Sequence, residues 1–113
     1  MLKVYGIKNC DTVKKACRWL ESRGLSYQFH DFRIQGLTST QVKTWIDKIG
    51  LDALVNKRST TWKQLDDASR ADLNEKTAVA LLLANPTLIK RPLLEWSGRY
   101  HTGFSETEYQ QLF

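Results

Sequence analysis

The first 31 residues switch hydrophobic period twice, and few folds accept that pattern. Leu2 to Ile7 is a short apolar run containing Val4 and Tyr5, which reads as a buried strand. The polar turn Lys8-Asn9-Cys10-Asp11-Thr12 follows it. Val13, Ala16, Cys17 and Leu20 then recur at i, i+3, i+4 and i+7, one face of a helix, and Gly24 is placed to end it. Residues 26–31 alternate, with Tyr27, Phe29 and Asp31 on one side and Gln28 and an outward-facing His30 on the other. Strand, helix and strand within about 30 residues form a βαβ unit, whose crossover is nearly always right-handed.

The rest of the chain completes an α/β domain. Thr38 and Gln41 match a capping box ahead of Val42, Trp45, Ile46 and Ile49, a second helical stripe that Gly50 stops. Residues 51–73 are polar and irregular, with short helical pieces expected around Leu51–Val55 and Trp62–Leu65. Asn74 opens a third helix, Glu75–Asn85, whose Ala78, Val79, Leu81, Leu82 and Leu83 predict thorough burial. Pro86 ends it. Residues 87–90 and 93–96 flank Arg91-Pro92, and 99–103 follows the turn Ser97-Gly98, which predicts a β-hairpin. Ser105 and Glu108 match a second capping box, opening a last helix over 106–112. The order β-α-β, helices, β-β-α is that of a thioredoxin-like domain with a helical insertion between its halves. We read residues 1–113 as one such domain, long enough to fold without disulfide staples.

Composition narrows the function. The net charge is +5, from 17 Lys and Arg against 12 Asp and Glu. Nucleic-acid binding is not expected, because there is no zinc-finger spacing, glycine-rich loop or basic run. The basic residues come as the pairs Lys14-Lys15, Lys57-Arg58 and Lys90-Arg91. No apolar stretch approaches the roughly 20 residues that span a bilayer, and residues 1–10 lack the apolar run and small-residue cleavage site of a signal peptide, so none is expected. With only two cysteines, a reducing, cytoplasmic setting is expected.

Cys10 is the sharpest chemical feature. It falls at the start of the first helix, where unpaired amides and the positive end of the dipole favour an anion, so a thiolate there is a usable nucleophile. Cys17 is not its disulfide partner. Seven helical residues rise about 10.5 Å, whereas a disulfide needs Cα atoms within roughly 7 Å. Cys17 instead sits on the apolar stripe and reads as structural. Two cysteines with the distant His30 and His101 make no metal site, and no tightly bound cofactor is expected. A disulfide at Cys10 therefore needs an external thiol, such as glutathione or a redox protein. Arg91-Pro92 leads into a strand opposite the first βα loop. A proline there is compatible with a cis bond, although trans is the commoner form. Arg91 has the fork to bind an anion, and Arg58 is a second candidate of that kind. Trp19, Trp45, Trp62 and Trp96 read as core or core-edge residues rather than a base-stacking platform.

Three segments together resemble the arsenate reductase (ArsC) family, in particular its YffB-like and Spx-like branch, over essentially the whole chain. They are Tyr5-Gly6-Ile7-Lys8-Asn9-Cys10-Asp11-Thr12, Asn56-Lys57-Arg58-Ser59-Thr60-Thr61-Trp62, and Asn85-Pro86-Thr87-Leu88-Ile89-Lys90-Arg91-Pro92-Leu93-Leu94. The resemblance implies a thioredoxin-like fold with a helical insertion and a redox role for Cys10. It places Arg91 at the family's arginine before a cis-proline, Pro92. We expect a glutathione-dependent thiol reductase, with Cys10 and Arg91 catalytic and Lys8, Asn9, Arg58 and Pro92 binding glutathione. Arsenate reduction with glutathione or a glutaredoxin-like protein is an alternative. Where the family's arsenate reductases hold the oxyanion with further arginines, this chain has Asn56 and Gly103-Phe104. A non-catalytic, Spx-like regulator binding a partner protein is another, although Val13 stands where Spx-like proteins carry the second cysteine of Cys-x-x-Cys.

Overall fold

The computed structural model describes residues 1–113 and divides into two compact units, Met1–Gln35 with Arg91–Phe113, and Gly36–Lys90. The first unit is a four-stranded sheet with three helices, one long and two short. Strand β1 (Leu2–Gly6) leads through a turn to α1 (Asp11–Ser22), then to β2 (Tyr27–Asp31) and the single turn α2 (Phe32–Gln35). After the second unit come β3 (Leu93–Trp96), β4 (Arg99–Thr102) and α7 (Glu106–Leu112). The strand order is β2-β1-β3-β4; β1 pairs parallel to β2 and antiparallel to β3.

Side-chain periodicity explains this unit. Leu2 and Val4 point to one face of β1, and Leu94 of β3 joins them. They pack with Ala16, Trp19 and Leu20 of α1 and with Tyr109 of α7. The buried face of α1 is Val13, Ala16, Trp19 and Leu20. Cys17 is only half-buried, packed against the margin of this core, while Trp19, which lies outside the expected stripe, is buried in it. Gly24, at φ 69°, follows the end of α1 as expected. Tyr109 stands edge-on to Trp19 and Phe104, with centroids 5.4 and 4.8 Å away, and its hydroxyl donates to Gly103 O at 3.0 Å. Ser97 and Gly98 both have positive φ, which suits the tight turn joining β3 to β4.

Two expectations in this unit fail. His30 does not face outward: it is half-buried, and its ring lies 4.9 Å from that of Tyr5. The capping box of α7 is half-formed. Ser105 Oγ accepts from Glu108 N–H at 3.4 Å, but the Glu108 carboxylate lies 3.0 Å from His101 Nε2. The Glu108 side chain is thus turned to the His101 ring rather than back to the Ser105 N–H.

The second unit is helical. It contains α3 (Ser39–Leu54), α4 (Thr60–Gln64), α5 (Asp67–Ala71), α6 (Glu75–Ala84) and a 3₁₀ turn at Pro86–Leu88. Thr38 and Gln41 form the expected reciprocal cap, at 3.0 and 3.1 Å. Gly50, with φ 79°, interrupts α3, so its last turn is the separate helical piece expected around residue 51. The expected strand at 87–90 is not one. Pro86 starts a 3₁₀ turn, and Ile89 makes only an isolated bridge to Val55. Helix α6 is less buried than its composition suggests: Ala78 and Leu82 are inside, Val79, Leu81 and Leu83 are half-buried, and Ala80 and Ala84 are exposed. Alanine is there as a helix former, whichever way it points.

Candidate active site around Cys10

Three chain segments of the first unit meet at the end of β1. The first is the turn Lys8-Asn9-Cys10. Cys10 is the N-cap of α1, with extended backbone (φ −110°, ψ 121°), and its carbonyl accepts the first helical bond, from Lys14 N–H at 3.0 Å. Serine, threonine, aspartate and asparagine usually fill this position because their oxygens bond the first-turn amides. Cys10 makes no such side-chain bond, so its sulfur leaves those amides uncapped at the positive end of a 12-residue helix. The thiol is partly exposed, and neither cysteine is in a disulfide. Lys8, Asn9, Asp11, Lys14 and Lys15 around it are exposed.

The second segment enters β3. Arg91-Pro92 is a cis peptide, and Pro92 is buried while Arg91 is half-buried. Tyr5 pairs with Leu93, so continuing the register by one residue sets Pro92 beside Gly6, at the strand end from which the Cys10 turn departs. Gly103 N–H donates to Pro92 O at 2.9 Å, which fixes the proline from the β4 side.

The third segment is the end of β2. Asp31, beside Gly6 in the β1–β2 register, accepts from Lys8 N–H at 3.4 Å. Sequence reasoning took Asp31 as a plain strand residue, although the alternation that turns Tyr27 and Phe29 inward also turns a carboxylate inward. Gly6 was also missed. A Cβ there would lie 2.9 Å from Val13 Cγ2, so only glycine lets β1 and the first turn of α1 approach this closely.

Cys17, His101 and Arg58 each have surroundings of their own. Cys17 is half-buried against the core, and burial raises its thiol pKa, with Glu21 adding to the shift and a hydrogen bond from Tyr27 opposing it. A protonated, packed thiol is a poor nucleophile. His101 is engaged with Glu108 and the ring of Tyr109. Arg58 belongs to the second unit, exposed in the turn before α4, where its N–H donates to Asn56 Oδ1 at 3.0 Å. No group of three or more His, Cys, Asp or Glu is placed to hold a metal ion, and no helix is long and apolar enough to cross a membrane.

A βαβ half and a hairpin-helix half, with a cysteine at the first βα junction and a buried cis-proline at the start of β3, define a thioredoxin-like protein. Within that class the chain belongs to the ArsC family, whose profile matches residues 5–112. An uncharacterised protein of Haemophilus influenzae is 48% identical over 113 residues, covering 100% of this chain and 99% of its own length. The solved structure of a YFFB protein superposes with a TM-score of 0.93 at 40% identity, over 98% of this chain and 97% of that one. An arsenate reductase (ArsC) related protein from Brucella melitensis superposes with a TM-score of 0.82 at 37% identity, over 97% and 92% of the two chains. More distantly, the global transcriptional regulator Spx 2 of Lactococcus lactis is 24% identical over 110 residues, covering 96% of this chain and 83% of its own.

Proposed function

We propose that this protein is a cytoplasmic, glutathione-dependent thiol reductase with Cys10 as its single nucleophile. The observation that carries the reading is the uncapped, partly exposed Cys10 at the N-terminus of α1, at the strand end that the β1–β3 register sets beside the buried cis-Pro92. The Cys10 thiolate attacks the glutathione sulfur of a mixed disulfide, forming Cys10–S–S–glutathione and releasing the substrate as a thiolate. A second glutathione thiolate then attacks that glutathionyl sulfur. The products are oxidised glutathione and the Cys10 thiolate, so one disulfide is consumed and one is made. Developing charge on sulfur is stabilised by the first-turn amides of α1. Backbone groups beside Pro92 align the tripeptide, while Asn9, Lys8 and Arg91 hold its polar ends and carboxylates. A glutaredoxin-like protein is an alternative source of the second thiol.

The test is turnover of a glutathione mixed disulfide. Cys10→Ser abolishes it and Cys17→Ser leaves most of it; equal loss from both variants sinks the single-cysteine mechanism. Mass spectrometry after treatment with oxidised glutathione shows one adduct, on Cys10.

A second reading, arsenate reduction at the same thiol, is favoured by the likeness to the arsenate reductase (ArsC) related protein from Brucella melitensis. Asn56 and Gly103-Phe104 stand where that chemistry is expected to use arginines, and a pocket short of two cations holds a charged oxyanion weakly. Arsenate-dependent turnover exceeding that with mixed disulfides reverses the order of the two readings. A stable partner protein retained by Cys10→Ser, with no turnover in either assay, favours the regulator instead.

A further inference from the structure

Asp31 is the one charged residue of the chain that is buried, at 5% exposure. A carboxylate in that position is costly unless its oxygens are occupied. Those oxygens are divided between two tasks. Oδ1 accepts from Arg33 N–H at 2.8 Å, and Gln35 Oε1 returns the favour by accepting Asp31 N–H at 2.9 Å, so this half of the group starts the single turn α2. That local task needs one oxygen and no burial. Oδ2 reaches a residue 23 positions away, accepting from Lys8 N–H at 3.4 Å. Lys8 is two residues past the end of β1 and two before Cys10. One carboxylate therefore joins the ends of two parallel strands, and its second bond falls on the turn that determines where α1 begins.

We propose that Asp31 is a positioning residue for Cys10. Through Lys8 N–H it holds the Lys8-Asn9 turn, and so the place at which the cysteine meets the uncapped amides of α1. The inference rests on Cys10 being the reactive thiol of the proposed function. Its sign is informative, because a negative charge near a developing thiolate disfavours it. If the charge of Asp31 governed the thiol, removing it would speed Cys10; if the hydrogen bond governs, removing it slows Cys10. Asp31→Asn separates the two tasks, since an amide keeps one acceptor for Arg33 and has no second one for Lys8.

The experiment follows the thiol itself, so that its outcome does not depend on glutathione turnover. Alkylation of Cys10 by iodoacetamide at fixed pH is measured by peptide mass for the parent, Asp31→Asn and Asp31→Ala, with far-UV circular dichroism as the check on folding. Both variants slow Cys10 by about three- to tenfold, the scale of losing favourable helix-terminus alignment. In Asp31→Asn the Lys8 amide exchanges hydrogen about tenfold faster while that of Arg33 stays protected, a split that general loosening does not produce. Alkylation as fast as the parent's, or faster, overturns the proposal, as does unchanged protection of Lys8. Should either variant fail to fold, the unsubstituted chain still decides the matter: its Lys8 amide must exchange more slowly than that of exposed Asn9, and equal exchange overturns the proposal. Loss of turnover in neither cysteine variant overturns the proposed function while leaving these alkylation and exchange results readable.

Discussion

Gly6→Ala probes how closely α1 is seated on β1. The added Cβ would lie 2.9 Å from Val13 Cγ2 and 3.4 Å from Cγ1. Val13 cannot swing aside, because it is 2% exposed and a β-branched residue in a helix holds one rotamer. The helix start must back off by roughly half an ångström, and forced overpacking of this kind costs about 1–3 kcal/mol. Alanine recovers about 0.4–1 kcal/mol by restricting the unfolded chain, since a strand backbone suits it. A net loss of about 1–2 kcal/mol is expected. Urea unfolding is the assay: the midpoint falls while the slope m is unchanged. Val13→Ala, destabilising alone, should relieve the clash, so the double variant is about 1 kcal/mol more stable than the sum of the singles predicts. A Gly6→Ala protein within about 0.5 kcal/mol of the parent, or a strictly additive cycle, refutes the reasoning.

Two further outcomes follow from the tyrosines. Tyr109→Phe removes the buried hydroxyl that donates to Gly103 O and costs about 1–1.5 kcal/mol in urea unfolding, whereas a neutral result would show the bond to be idle. The folded state raises the pKa of all four tyrosines above 10.0, chiefly by burial; Glu95 adds to the shift at Tyr5 and Tyr100, Cys17 and Glu21 at Tyr27, and Cys17 at Tyr109. Above pH 10 the unfolded chain loses these protons first. Their contribution to stability is therefore full below pH 10 and declines as the pH rises beyond it. Urea midpoints at pH 8 and pH 11 check the sign, and a higher midpoint at pH 11 contradicts it.

The βαβ start was legible in the sequence because each of its elements is amphipathic with its own period, and Gly24 and Gly50 mark breaks where glycine's positive φ is used. The one-turn helix α2 and the five-residue α5 were not legible. Elements this short carry no stripe, and they are held by particular side-chain caps such as Asp31 and Asp66. Of the candidate site, Cys10 could be found by its place in the chain, and the family resemblance pointed to a cis form at Pro92. Asp31 could not be ranked from sequence alone. Its role depends on a bond to Lys8, and nothing local to residue 31 announces it.

The strand order also constrains how the chain is made. The two central strands, β1 and β3, pair residues such as Val4 and Leu94, 90 positions apart, with the whole second unit encoded between them. A nascent chain emerging from the ribosome carries Cys10 well before the proline segment that the register sets beside the end of β1, because the whole second unit is made between them. Until then β1 has one neighbour and an open edge. The thiol thus exists, until β3 is made, in a chain whose central sheet cannot yet close.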